Sequence, residues 1–367
     1  MKLSIERAAL LRCMSHVQNV VERRNTIPIL ANVLIRVEGG EATVTATDLD
    51  MDIVERVPAR VLTPGVTTVK AHRVYEILRT LPDGCEVELD GTVENERLRL
   101  RAGRSVFSLG TLAVSDFPQI QSEGLPHRFA LPALRLRTLI DRARFAISTE
   151  ETRYYLNGIH LHAAGEKLRA VATDGHRLAR IEVPLPEGAE GIPGVILPRK
   201  TVTELRKLLD EFEEDVRIEL SETRVRAHVG DLTLSSKLID GTFPDYERVI
   251  PTGNERVLCV DSGEAKQAVA RVATISNEKA RAVKLAMTEN LLTLSATSGD
   301  ADTATDEVEV EYSAAPMEIG FNSRYLTEIL DQIADTAEFA MADAASPTVV
   351  RPKGDDEALF VLMPMRV

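Results

Sequence analysis

The chain switches between two hydrophobic periods, and it does so three times. Leu10, Met14, Val17 and Val21 recur every three or four residues, the spacing of one apolar helix face. Leu136, Leu139, Ile140 and Ala143 repeat that stripe within 134–147, and a third such segment covers 265–275. Asn32–Val37, Ala42–Thr47, Glu86–Leu89 and Arg97–Arg101 instead alternate polar with apolar, as half-buried strands do. Gly39-Gly40 and Asp90-Gly91 sit between strand pairs and predict hairpin turns, because glycine tolerates positive φ. Further helical segments lie around Glu76-Ile77-Leu78, Glu204-Leu205 and Glu328-Ile329-Leu330. The pattern predicts helices over 7–21, 71–80, 133–146, 199–209, 263–274 and 323–333, among antiparallel strands.

Four landmarks recur in one order. ATDLD at Ala46–Asp50 matches ATDGH at Ala172–His176, with ATSGD at Ala296–Asp300 a weaker third copy. From Thr47, Thr173 and Thr297 to Glu76, Glu204 and Glu328 the distances are 29, 31 and 31 residues. Each unit closes on Phe117-Pro118, Phe243-Pro244 or Met363-Pro364, lying 70, 70 and 66 residues after the threonine. Such constancy predicts three copies of one fold, over 1–125, 126–254 and 255–367. Each is α+β, with two helices against antiparallel sheets.

Charge refines the picture. The net charge of −13 argues at first against a phosphate-binding partner. The six helical segments together carry +9, however, which leaves −22 on the remainder. Arg135, Arg137, Arg142 and Arg144 lie off their apolar stripe and are predicted to be exposed. A body with mildly positive helices and an acidic remainder attracts a phosphate backbone to one surface and repels it elsewhere. With no Trp and 4% aromatic residues, base stacking is a poor principal binding mode. No zinc-finger spacing, basic heptad or aromatic RNA-binding signature appears. Cys13, Cys85 and Cys259 are odd in number and far apart, as free thiols in a reducing compartment are. Glu6 and Arg7 interrupt any signal-peptide core, and no run approaches a membrane span, so the cytoplasm is the expected location.

The chemical candidates are weak. Asp48, Asp50 and Asp52 open like a calcium loop, but Ile53 and Ala59 stand where that loop needs Gly and Glu. They are expected to be alternate acids on a solvent-facing strand. His160 and His162 also alternate, without a Cys or carboxylate cluster to complete a metal set. Asp174 and His176 suggest acid–base chemistry, yet the sequence offers neither a third group nor an oxyanion site. The slot that holds them contains TDLDM in the first unit and TSGDA in the third, so it reads as a turn. No catalytic residue, metal or cofactor is expected. A cytosolic hydrolase using Asp174 and His176, and a repeat scaffold binding only proteins, stand as alternative readings.

RYYLNG (Arg153–Gly158), VATDGHRLA (Val171–Ala179), GTFPDYERV (Gly241–Val249), SNEKAR (Ser276–Arg281) and VLMPMRV (Val361–Val367) carry a family likeness. Along its whole length the chain resembles the bacterial sliding clamps, the beta subunits of DNA polymerase III. The resemblance implies three DNA-clamp domains per chain and two chains closed head to tail into a six-domain ring. Helices would line the hole around duplex DNA, held without regard to sequence. The implied partners are the clamp loader, the alpha subunit of the replicative polymerase and other proteins with a clamp-binding motif, and no membrane. DNA contacts would fall on Arg24, Arg73, Glu150, Tyr154 and Tyr155, where Glu150 replaces a usual Gln. As neighbours on a strand, the two tyrosines would face opposite ways. A client-peptide pocket would comprise Leu156, Thr173, Gly175, His176, Arg177, Leu178, Pro244, Arg248, Val249, Val361, Leu362, Met363, Pro364, Met365 and Arg366. There Leu, Val and Met would supply an apolar cleft, with His and Arg as polar anchors at its rim. Pro364 implies that the final strand leaves its sheet. The joint between chains would use Phe107, Leu109, Thr274 and Ile275, and Thr274 at an often aliphatic position implies a more polar joint.

Overall fold

A computed structural model describes residues 1–22, 26–92, 97–120, 124–276, 281–298 and 302–366, and one order of helices and strands runs through it three times, with one extra strand in the first copy. The first stretch has β1 (Lys2–Glu6), α1 (Arg7–Val17), β2 (Asn32–Glu38), β3 (Glu41–Thr47), β4 (Met51–Pro58), β5 (Arg60–Thr63) and β6 (Gly65–Lys70). It continues with α2 (Ala71–Thr80), β7 (Glu86–Asp90), β8 (Arg97–Ala102) and β9 (Ser105–Gly110). The second has β10 (His127–Pro132), α3 (Ala133–Ala143), β11 (Gly158–Ala164), β12 (Lys167–Thr173), β13 (Arg177–Pro184) and β14 (Val195–Pro198). Then come α4 (Arg199–Leu208), β15 (Asp215–Leu220), β16 (Arg224–Val229) and β17 (Leu232–Lys237). The third has β18 (Arg256–Asp261), α5 (Ser262–Ala273), β19 (Ala282–Thr288), β20 (Leu291–Thr297), β21 (Thr303–Glu309) and β22 (Met317–Asn322). It ends with α6 (Ser323–Leu330), β23 (Thr336–Met341), β24 (Thr348–Pro352) and β25 (Ala358–Leu362).

These elements form two compact units, one of Met1–Leu136, Pro186–Ile192 and Thr203–Leu238, the other of Arg137–Leu185, Pro193–Val202 and Ile239–Val367. The first unit contains the sheet β5-β1-β7-β8-β9 and an eight-stranded sheet, β10-β15-β16-β17-β4-β3-β2-β6. The larger sheet is a composite, in which β17 of the second stretch pairs antiparallel with β4 of the first and sets Leu234 opposite Ile53. Strand alternation is plain in β8, where Leu98, Leu100 and Ala102 are buried and the intervening arginines exposed. Beneath the sheets, Leu10, Met14 and Val17 of α1 join a core that also takes Leu208, Leu232 and Leu234. Each fully buried side chain of this size stabilises by about 2 kcal/mol.

The second unit contains β14-β11-β12-β13-β25-β24-β23-β18 and the four-stranded β21-β20-β19-β22. Its large sheet is composite in the same way, with Ala179 of β13 opposite Phe360 of β25. Helix α5 starts where the Asp261 carboxylate accepts the Glu264 N–H, and α6 where Asn322 accepts from Arg324 and Tyr325.

Several expectations need correction. Helix α1 stops at Val17, because the chain tightens there, the Val20 N–H donating to the Val17 carbonyl; Val21 is buried outside the helix. Asp90-Gly91 is not a tight turn: Asp90 is still paired in β7, opposite Arg99, and the Gly91 N–H donates to the Met1 carbonyl. Gly39-Gly40, with φ of +60° and +91°, is the hairpin turn expected. Asp52 does not face solvent; it is buried opposite Ser235, and burial raises its pKa. Arg137 and Arg142 are half-buried rather than exposed, the Arg142 guanidinium donating to Asp355 at 2.9 Å and to the Gln332 carbonyl.

Candidate functional site

The turn between β12 and β13 is built by side chains that accept from the backbone. Asp174 Oδ1 accepts the N–H groups of His176 and Arg177 at 2.9 and 3.1 Å, and Thr173 Oγ1 accepts that of Gly175. Gly175 supplies the positive φ of +87° that the turn requires. The Asp174 carboxylate is therefore engaged locally, while the exposed His176 ring stacks on Tyr325 at 6.0 Å. An Asp orienting a His, which the hydrolase reading needs, is not the arrangement present.

Arg177 is no rim anchor. Its side chain is 5% exposed and forms an ion pair with Glu328. Asp174 Oδ2 lies 3.2 Å from its Nε, and Nη2 donates to the Phe145 carbonyl at 2.6 Å. The guanidinium also lies over the rings of Tyr325 and Phe145, at 4.4 and 5.1 Å. Burial pulls its pKa below the usual arginine value, although its acidic neighbours oppose that. Arg177 thus pins the turn to α6. Its partners Phe145, Tyr325 and Glu328 are not evident from the motif around it; the one signal in the sequence is Glu328 itself, the recurring landmark of the second helix.

Next to the turn, Thr173, Leu178 and Val361 lie abreast on β12, β13 and β25. Leu156, Leu178 and Val361 join one apolar cluster with Val171, Ile196, Phe243 and Tyr246. Pro244, Arg248 and Val249 are exposed beside it, the last two in a 3-10 helix over Tyr246–Val249. Strand β25 ends at Leu362, and the chain leaves along a new course. The Met363 N–H donates to the His176 carbonyl and the Met365 N–H to that of Gly320, both at 2.9 Å. Met363 is exposed, Pro364 and Met365 half-buried and Arg366 exposed. Leu362 is fully buried, on the face opposite Val361, so it points away from that apolar cluster.

Among the charged candidates, Arg73 is exposed on α2, with Glu76 at 3.7 Å, and Arg24 lies outside the described residues. Tyr154 and Tyr155 are not on a strand. They belong to a 3-10 stretch, Glu151–Leu156, with rings edge to face at 5.8 Å. Tyr154 is exposed, and Tyr155 packs half-buried against the apolar cluster. The Glu150 carboxylate accepts two bonds from the Arg153 guanidinium, at 2.8 and 2.6 Å. The Glu150 charge is thereby neutralised locally.

Phe107 and Leu109 are half-buried on β9, an edge strand, and Ile275 is half-buried just past α5. Thr274 is exposed and its hydroxyl donates to the Arg271 carbonyl. His160 and His162 stack at 4.5 Å on the face of β11, and Phe243 covers His160 at 4.8 Å. His162, hydrogen-bonded to the Tyr246 hydroxyl, has a pKa pushed down to about 4, chiefly by burial. Among the described residues no group of three or more His, Cys, Asp or Glu is placed to hold a metal. No helix among them is long and apolar enough to cross a membrane.

Three family models match the chain in succession: the N-terminal, central and C-terminal domains of the DNA polymerase III beta subunit, over residues 1–121, 130–245 and 247–366. The beta sliding clamp of Caulobacter vibrioides is 53% identical over 372 residues, covering all of both chains. That of Escherichia coli K12 is 39% identical over 371 residues, again covering both. Among solved structures, the Caulobacter crescentus polymerase III beta subunit superposes with a TM-score of 0.95 at 53% identity, covering both chains fully. The Bartonella birtlesii sliding clamp bound to griselimycin superposes with a TM-score of 0.97 at 46% identity, also covering both chains fully.

Proposed function

Since the chain belongs to the DNA polymerase III beta subunit family it is a DNA sliding clamp, a non-catalytic processivity subunit, and we propose that two copies close head to tail into the working ring. The observation that carries this is the way the chain joins its own repeats. The last strand of one half-sheet meets the last strand of the next repeat's other half-sheet, β4 with β17 and then β13 with β25. Continuing the series calls for β21 to meet β9, and both are edge strands. The register carries over as well, placing Phe107 of one protomer opposite Ala304 of its partner, as Leu234 stands opposite Ile53 and Phe360 opposite Ala179.

Burial supports the same pairing. Phe107 is half-buried, whereas its counterparts Leu234 and Phe360 are 1% and 0% exposed. Ile275 is likewise half-buried, whereas Val20 and Ala146 at its position are fully buried. A closed joint would remove from water what the chain ends leave in it.

Helix-borne charge supports sequence-independent contact with duplex DNA through phosphates, with Arg24, Arg73 and the Tyr154–Tyr155 pair as contact residues. Weak contacts suit a ring that slides, since topology rather than affinity retains it. The cleft beside Leu178, Val361 and Met363 would take clamp-binding peptides of the polymerase alpha subunit, the loader and other clients. Tethering then raises a client's effective concentration at the template. Residues 1–125, 126–254 and 255–367 would be the three clamp domains. Retention on circular DNA tests the ring. Protein loaded onto nicked circles with a clamp loader and ATP should co-elute with the DNA and be lost when the circle is cut. Binding indifferent to topology overturns it.

A further inference from the structure

In each repeat the chain beyond the final strand folds back over the same three-residue platform. The platform is Leu34 with Thr45 and Thr68 in the first repeat, and His160 with Val171 and Ile196 in the second. In the third it is Lys284 with Ser295 and Gly320. The covering chain is tied down at the third platform position each time. The Leu112 N–H donates to the Thr68 hydroxyl at 3.0 Å, and the Ile239 N–H to the Ile196 carbonyl at 3.0 Å. The Met365 N–H donates to the Gly320 carbonyl at 2.9 Å.

Beyond that bond the three repeats diverge. In the first repeat Phe117 buries itself with Ile29 and Leu30 against Leu34. In the second, Phe243 stacks flat on His160, its ring plane within 9°, and joins Val171 and Ile196. Over the third platform no aromatic ring of the described residues enters, and a groove of about 910 Å³ lies there instead. Ala282, Lys284, Ser295, Gly320, Ala345 and Arg366 line it. Ser295 and Gly320, the two small platform positions, leave the depth that a ring fills in the other two repeats. Lys284 would offer its stem and ammonium to the face of that ring.

We propose that this groove receives an aromatic side chain, carried on an extended acidic segment of a client protein, in the place that Phe117 and Phe243 hold in the other repeats. The acidic character is argued from charge. Asp116 precedes Phe117 and Asp245 comes after Phe243-Pro244, and among its described lining residues the groove presents Lys284 and Arg366 against one carboxylate, that of Glu318, 3.2 Å from the Lys284 ammonium. The choice of a client rests on the peptide-cleft reading above, because the tail Met363–Arg366 borders both the cleft and the groove. The groove is a second contact, separate from the cleft floor at Leu178 and Val361.

The test uses the full-length protein and a labelled nonapeptide copied from Gly241–Val249, GTFPDYERV, followed by fluorescence anisotropy. Replacing the peptide's phenylalanine by alanine, or Ser295→Trp in the protein to fill the groove, should each weaken binding by ~10-fold or more, the worth of one buried ring. A clamp-binding peptide of the polymerase alpha subunit, titrated in parallel, should bind the Ser295→Trp protein as it binds wild type. Failure of that second peptide to bind either protein would sink the cleft reading alone. The groove proposal is overturned if the nonapeptide does not bind, or binds regardless of its ring or of Ser295→Trp. Oligomers larger than the ring dimer that form with rising concentration and are lost in Ser295→Trp would assign the groove to a second copy of this chain and overturn the client assignment.

Discussion

Leu49 and Gly175 hold the same left-handed conformation, φ +80° and +87°, at the same point of the same turn. Asp48 accepts the N–H groups of Asp50 and Met51 just as Asp174 accepts those of His176 and Arg177. Glycine adopts that conformation freely, whereas a leucine there carries steric strain. Leu49→Gly should therefore stabilise the first unit by about 1 kcal/mol, and Gly175→Ala should destabilise the second by at least as much. A Cβ at Gly175 would also meet the Arg153 guanidinium at 2.8 Å. Thermal midpoints of the two variants should move in opposite directions; a shift of both in the same direction contradicts the account.

Removing the ring of Phe107 should open the proposed intermolecular joint. Phe107→Ala is expected to raise the dimer dissociation constant by at least ~100-fold for each of the ring's two joints, the cost of deleting a buried aromatic from each. The shared register also sets Ser105 opposite Asp306 of the partner, so Ser105→Cys combined with Asp306→Cys should form a disulfide-linked dimer under mild oxidation. Sedimentation at falling concentration checks the first, and a non-reducing gel the second. A dimer unaffected by Phe107→Ala rules the β9–β21 pairing out.

His16, buried, and His162, half-buried, should give opposite pH responses. His16 lies between Glu55 at 2.8 Å and Glu211 at 3.1 Å. Burial pulls its pKa down, but bonding and charge from the two carboxylates outweigh it and hold the value above 6.5. The stability it contributes is full below pH 6.5 and is lost as pH rises through the raised folded value. His162 behaves in reverse: its contribution is present above pH 6.5 and is lost as pH falls through about 4. The stability gap between wild type and His16→Gln should shrink as the medium becomes alkaline, and that between wild type and His162→Gln should shrink on acidification. Flat differences across both limbs would show that neither ring titrates as described.

Glu150 should act as a brake on DNA contact, because it occupies the Arg153 guanidinium with two hydrogen bonds. Glu150→Gln is expected to tighten binding to short duplexes at low ionic strength by ~3-fold and to steepen the salt dependence. An unchanged salt slope argues that Arg153 does not approach phosphate.

Deletion of Met365–Val367 removes the hydrogen bond to Gly320 and one border of the cleft. Client-peptide binding should be abolished while the dimer persists, as titration calorimetry and sedimentation would report. Undiminished peptide affinity would remove the tail from the site.

Much of this architecture is legible in order and spacing. The stripe Leu136, Leu139, Ile140 and Ala143 is buried on α3, and α2 spans the expected 71–80. The turn character of Asp174-Gly175 can be read from its three unequal copies. Legibility fails where a side chain's fate depends on a distant element. Arg142 lies off its helix's apolar stripe, yet Asp355, far along the chain, draws it in. Asp52 alternates correctly on β4 but faces β17 across a composite sheet that no local pattern announces.

By itself the sequence determined the repeat, the two helices and alternating strands of each copy, and the contrast between basic helices and an acidic remainder. These depend on period and composition, which are properties of neighbouring residues. Tertiary structure alone decided which strands join the repeats, that Arg177 is sealed between two rings instead of standing at a rim, and that two of three equivalent platforms carry an aromatic cover. Those outcomes depend on pairings between residues far apart in the chain, where register and burial arise only once the sheets have closed.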